Sequence, residues 1–199
     1  MKLMIKHQER YSRGELLLRT LFGWLYIVLP HAFLLGFVGI WGAILSFVAF
    51  WVVLFTGKYP QSMFEFQVGM MKWGNRLQAR VSNLVDGYPP FGVKASEEYT
   101  DLQVPYPEKI SRGLVLLRVL FGAIYVYLPH GFILMFRQMF VGILVFFSWW
   151  IVLFTGEYPK SFHDWAVGQI RWSNRLALYM GFMTDKYPPF TGDELPEEV

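Results

Sequence analysis

The polar and apolar positions of this chain separate into long blocks. From Leu21 to Gly57 there is no Asp, Glu, Lys or Arg, a run of 37 residues. One bilayer crossing needs about 20 apolar residues, so the run has the length of two crossings joined by a tight turn. A second apolar region, Val119 to Gly156, is interrupted by Arg137-Gln138, which leaves uncharged runs of 18 and 19 residues on either side of Arg137. Gly36 and Gly39 occupy the matching place in the first region. The pattern predicts two helical hairpins with spans at about 16–36, 39–55, 115–135 and 139–154.

Each apolar region is followed by an amphipathic stretch, 62–85 and 161–184. In the first, Phe66, Met70, Trp73, Leu77, Val81 and Leu84 recur at helical spacing, with Glu65, Lys72, Arg76 and Asn83 on the opposite face. A basic face backed by Trp and Phe reads as a helix lying in the headgroup plane. Three basic residues, each costing about 2.5–3.5 kcal/mol at a bilayer centre, argue against a third crossing. Ser62-x-x-Glu65 and Ser161-x-x-Asp164 resemble capping boxes. Gly57 and Gly156 suit a left-handed helix end, and Pro60 and Pro159 keep the following chain extended.

These blocks are duplicated at an offset of 99 residues. Ser12-Arg13-Gly14, Leu29-Pro30-His31, Leu54-Phe55-Thr56-Gly57 and Tyr88-Pro89-Pro90-Phe91 return as Ser111-Arg112-Gly113, Leu128-Pro129-His130, Leu153-Phe154-Thr155-Gly156 and Tyr187-Pro188-Pro189-Phe190. Without a gap, 39 of the 80 positions in 12–91 and 111–190 are identical. The two halves therefore share one fold. Two spans per repeat make them parallel, about an axis along the membrane normal. The expected organisation is a polar N-terminus (1–11), repeat 1 (12–91), a linker (92–110), repeat 2 (111–190) and an acidic tail (191–199). The fold class expected is all-α integral membrane, with two tandem parallel repeats, each a transmembrane hairpin followed by an amphipathic interfacial helix.

Composition agrees with lipid as the solvent: 54% of residues are hydrophobic and only 17% charged, against about 25% charged in a soluble domain. Of 18 Lys and Arg, only Arg137 falls at an expected hairpin tip. The positive-inside rule then puts both termini, the linker and the hairpin bases in the cytoplasm. The polar stretch Met1 to Arg13 shows no cleavage-site pattern, so the first span is expected to act as its own insertion signal. The net charge of +3 has no separate basic domain behind it, so nucleic acid is not an expected partner. With no cysteine, disulfides, iron–sulfur clusters and Cys nucleophiles are excluded.

The paired Leu-Phe-Thr-Gly-x-Tyr-Pro and Tyr-Pro-Pro-Phe motifs resemble the bacterial family catalogued as domain of unknown function 4389, over residues 12–91 and 111–190. The resemblance implies a small multi-pass protein of the bacterial cytoplasmic (inner) membrane. It implies no reaction, cofactor or catalytic residue. Some members resemble single units, so the duplication here mimics a dimer.

Several polar residues are candidates for binding. Arg19 and Arg118, one turn into the first span of each half, either snorkel to the headgroups or hold a lipid phosphate or a partner carboxylate. Pro30 and Pro129 remove a helix donor and free the carbonyls of Tyr26 and Tyr125. His31 and His130 either bond a freed carbonyl or a Tyr hydroxyl, or face the pseudo-twofold axis as a proton, metal or ligand site. Lys72, Arg76, Arg171 and Arg175 are candidates for lipid headgroups, and Trp73, Asn75, Trp172 and Asn174 for partner docking. Asp86 and Asp185 read as turn or helix-end residues. No metal site is expected, because no carboxylate in the spans completes the His pair. No GxGxxG, P-loop, HExxH or GxSxG occurs.

The expected function is a non-catalytic accessory or scaffold subunit without cofactor, working with membrane lipids and with other membrane subunits or copies of itself. The alternative is a small transporter or lipid-handling protein using the paired His and Arg. An enzyme ranks below both.

Overall fold

A computed structural model describes residues 1–196. Four helices and a two-stranded sheet follow one another as β1 (Lys2–Ile5), α1 (Arg13–Thr56), α2 (Gln61–Val81), β2 (Thr100–Gln103), α3 (Arg112–Thr155) and α4 (Lys160–Met180). The long helices α1 and α3 each contain one π-helical turn, Trp24–Val28 and Ala123–Tyr127. At 44 residues each has a contour of about 66 Å.

The expected turns at 36–39 and at 137 are not there. Leu29–Thr56 and Leu128–Thr155 are uninterrupted α-helix. A charge-free run of this length fits two crossings by count, but Gly36 and Gly39 alone do not reverse a chain. The irregularity lies earlier, just before Pro30 and Pro129. There Leu29 N–H bonds the Trp24 carbonyl, and Leu128 N–H the Ala123 carbonyl, five residues back. Proline and π turns are the usual causes of helix bending, and here they coincide.

The buried positions of α1 form one narrow stripe: Leu16, Arg19, Gly23, Ile27, His31, Gly42, Ala49 and Val53, bridged by half-buried Leu35 and Val38. In α3 the stripe is Val115, Arg118, Gly122, Val126, His130, Val141, Leu144, Ser148 and Val152. The rest of each long helix is exposed and apolar, including Leu21, Phe33, Phe37, Ile40, Phe47 and Phe55.

The stripe of α1 rests on α2, which runs back along it. Gln67 Nε2 donates to Gly42 O (2.7 Å) and Ser46 Oγ (2.8 Å), and Arg19 reaches Asn83 and Asp86 beyond the far end of α2. The long helices meet each other near their ends. Trp149 Nε1 donates to Thr20 Oγ1 at 2.8 Å, Arg13 Nη2 to the Phe154 carbonyl at 2.8 Å, and Ile110 N to Gly57 O at 2.8 Å. Cations at the last carbonyls of a helix also oppose its dipole. Each helix ends as the sequence predicts, with Gly57 and Gly156 left-handed at φ 71° and 78°.

The N-terminus and linker supply a feature absent from the all-α reading. Lys2–Ile5 pairs antiparallel with Thr100–Gln103, Leu3 opposite Leu102. Leu3, Ile5 and Leu102 turn inward and join Tyr11, Leu84, Val167 and Ile170 in the core. Thirteen residues of α4 are buried, so α4 is a core helix, unlike a helix lying free in the headgroup plane. Nor do the capping boxes form: Pro60 and Pro159 are the N-caps, without a side-chain bond.

Candidate functional site

In each repeat the π turn, the proline and the Tyr-Pro-Pro-Phe motif meet in one aromatic box. Pro30 has no N–H to offer the Tyr26 carbonyl. The Tyr88 hydroxyl donates to it instead at 3.1 Å, and in the second repeat Tyr187 donates to the Tyr125 carbonyl at 2.9 Å. Desolvation raises both tyrosine pKa values, which keeps these hydroxyls as donors.

His31 and His130 are fully buried at the centre of the boxes. Trp73 Nε1–H donates to His31 Nδ1 at 2.7 Å, and Trp172 Nε1–H to His130 Nδ1 at 2.9 Å. Phe91 and Phe190 stack on the imidazoles at 3.9 and 4.0 Å. Indole is only a donor, so Nδ1 carries no proton and a neutral imidazole holds it on Nε2. His130 Nε2 is buried without a bonded partner, whereas His31 faces the Pro89 carbonyl. Every partner of His31 lies in repeat 1 and every partner of His130 in repeat 2. The two imidazoles thus sit in separate boxes.

Arg19 and Arg118 anchor the start of each long helix. Arg19 pairs with Asp86 at 2.8 Å and bonds Asn83. Arg118 pairs with Asp185 at 2.6 Å, bonds the Tyr179 carbonyl and lies 4.0 Å over the Tyr179 ring. Asp86 and Asp185 each also accept a backbone N–H, from Ser12 and Ser111, at the helix N-termini, where a carboxylate is favoured.

The arginines of α2 and α4 turn inward rather than to solvent. Arg76 donates to the carbonyls of Gly92 and Ala95, Arg175 to those of Thr191 and Asp193, and Arg171 to Gly192 O and Glu194. Burial lowers the Arg76 pKa. Lys72 pairs with Asp101 at 2.8 Å. These hooks hold the linker start and residues 191–194 against the helices, so this part of the tail is tied down; residues 197–199 lie outside the described residues. Gly69 permits the approach, since a Cβ there would meet the Val93 carbonyl at 2.6 Å.

Trp73, Asn75, Trp172 and Asn174, expected at a docking surface, are all buried. Arg137, expected at an outer tip, packs on α4. Its guanidinium lies 4.3 Å from the Trp165 ring and donates to the Trp165 carbonyl. Sequence reasoning missed the box roles of Tyr88, Phe91, Tyr187 and Phe190 and the anchoring role of Asp86 and Asp185, although all six recur at the 99-residue offset. Among the described residues no group of three or more His, Cys, Asp or Glu could hold a metal ion.

The profile of one family matches both copies of this arrangement, at residues 14–92 and 115–192. The chain belongs to the family described as Domain of unknown function (DUF4389). Each DUF4389 copy takes in nearly all of one long helix, the short helix beneath it and the His-centred box, and stops at Gly92 or Gly192, where the hooked segment begins. No curated protein and no solved structure matches the chain.

Proposed function

We propose that this DUF4389 protein is a non-catalytic, membrane-embedded scaffold that anchors or stabilises a larger membrane complex, with lipids and other membrane subunits or further copies of itself as partners. The observation that carries the reading is the division of labour among side chains. The nominated His, Arg and Lys residues bond within the chain, while the outer faces of two 44-residue helices are apolar and open. Soluble monomers rarely expose apolar patches beyond a few hundred Å2.

The embedding we favour is along the bilayer surface, with α1 and α3 lying in one leaflet. The Gly57 end of α1 leads into α2, and the Ser12 end is bonded to Asp86 just past α2. Opposite sides for these ends would draw α2, with Glu65, Lys72, Arg76 and Arg80, through hydrocarbon at about 2.5–3.5 kcal/mol for each basic residue. The single buried stripe also keeps α1 against the polar layer along its length. Both termini and the linker then share the water side, which the positive-inside rule makes cytoplasmic in a bacterial inner membrane.

Native electrophoresis and mass analysis after extraction into lipid nanodiscs test the function. The expected result is a stable assembly well above the 23.3 kDa chain, with fixed stoichiometry, that dissociates when the chain is deleted. A lone chain in native lipid contradicts the scaffold reading.

A further inference from the structure

The two copies differ where α2 and α4 end against the long helices. In the second repeat Tyr179 covers the Arg118 guanidinium at 4.0 Å, and Met180 fills the space at Gly122, its Cε 2.7 Å from where a Cβ would stand. Arg80 and Val81 hold the equivalent positions in the first repeat. Nothing replaces the ring or the thioether there. A Cβ at Gly23 would meet only the Arg19 side chain, at 3.5 Å. A cleft of about 310 Å3 remains, lined by Arg19, Gly23, Trp24, Ile27, Arg80 and Asn83 among others.

The cleft is chemically two-sided. Trp24, Ile27 and Val28 form an apolar wall that opens beside exposed Leu21 and Leu25. The opposite wall carries donors. Arg80 is 2% exposed, and its Nε–H has no partner, while its Nη atoms bond Glu97 at 2.5 Å. Arg19 is held by Asn83, Glu15 and Asp86. With those carboxylates offsetting the guanidiniums, recognition depends on directed N–H donors more than on net charge.

We propose that this cleft binds one glycerophospholipid, its phosphodiester accepting from Asn83 Nδ2 beside the Arg19 and Arg80 side chains, its glycerol and first acyl carbons lying along Trp24 and Ile27. The inference rests on the membrane reading above. An inorganic phosphate shares the headgroup chemistry but leaves the apolar wall uncovered, so lipid is the occupant assigned. The second repeat has no such site, because Tyr179 and Met180 occupy it.

Two substitutions close the cleft while leaving Arg19, Arg80 and Glu97 themselves unsubstituted. Val81→Met copies the second repeat, and Gly23→Leu fills the cleft from α1. Native mass spectrometry of the full chain in detergent, with added phosphatidylglycerol, should show one saturable adduct. Affinity should fall about tenfold or more in either variant, because the added side chain takes the space of the glycerol and first acyl carbons. Diacylglycerol, which lacks phosphate, should not saturate the site, and millimolar inorganic phosphate should not displace the lipid. Equal adducts in all three proteins, saturation by diacylglycerol, or displacement by inorganic phosphate would overturn the proposal. Flotation of the same proteins with liposomes separates the two readings. Wild type and variants should float alike, and failure of the wild type to float counts against the membrane reading itself.

Discussion

At the first repeat the linker's Tyr106 stands edge-on to Phe64, ring centroids 5.2 Å apart, and its hydroxyl donates to the Tyr59 carbonyl. Ninety-nine residues away in register, His7 stands edge-on to His163 at 5.0 Å, and His7 Nε2 meets the Tyr158 carbonyl at 2.6 Å. The geometry is the same and the chemistry is not. Both copies meet one requirement, a donor for the carbonyl that precedes the Pro of the turn. Only the second places a titratable ring beneath that donor. Duplication has kept the shape of the joint and left the residues filling it free to diverge, as it has at Arg80 and Tyr179.

The anchors should break the symmetry most. Arg19→Met leaves the Asp86 carboxylate, 12% exposed, with the Ser12 N–H but without its cation, and the loss of a partner from a buried pair costs about 3–5 kcal/mol. Arg118→Met leaves the more exposed Asp185, at 32%, and the new side chain still packs on Tyr179, so about 1–3 kcal/mol is expected. Denaturant titration of both variants in nanodiscs should show the larger loss for Arg19→Met.

The His pair predicts an acid dependence confined to the second repeat. Burial, then the neighbouring His7, lowers the His163 pKa from 6.5 to about 4; Asp164 opposes the shift and Lys160 adds to it. The unfolded chain then binds more protons between these values. Stability is fully present above pH 6.5 and falls as pH drops toward 4, by up to roughly 3 kcal/mol. His163→Phe, which copies Phe64, should flatten that slope. Melting curves from pH 7.5 to 4 check it.

Within the boxes, Trp73→Phe keeps the ring and leaves His31 Nδ1 without a donor, at a cost of about 1–3 kcal/mol. The matching Trp172→Phe should cost the same if the boxes are equivalent. Tyr187→Phe should have the smallest effect, about 1 kcal/mol, because the Tyr125 carbonyl beside the π turn then loses its donor. Thermal melts of the three single variants rank them.

Much of this joint was legible in the chain. The offset of 99 residues requires two like halves, Gly57 and Gly156 end the long helices as their residue type predicts, and Pro30 announces a freed carbonyl at Tyr26. What could not be read was direction. Nearly every side chain from Leu21 to Gly57 is apolar, so the pattern does not mark the stripe that meets α2, and run length alone suggested a turn at Gly36 and Gly39. Arg76 and Arg175 looked solvated because their acceptors are backbone carbonyls 16–19 residues away, and a backbone carbonyl carries no sequence signature. Arg137 looked like a loop charge because Trp165, its partner, lies 28 residues downstream.

The absence of cysteine allows the central claim to be measured directly. Single substitutions Gly36→Cys and Met135→Cys, at equivalent places in the two long helices, and Lys58→Cys and Glu157→Cys at the polar ends, would be reconstituted into vesicles of known orientation. They would then be probed with a membrane-impermeant maleimide from each side. Helices lying in one leaflet predict labelling of positions 58 and 157 from a single side, with positions 36 and 135 protected from both sides until detergent is added. Labelling of positions 36 and 135 from the side opposite 58 and 157 would contradict it.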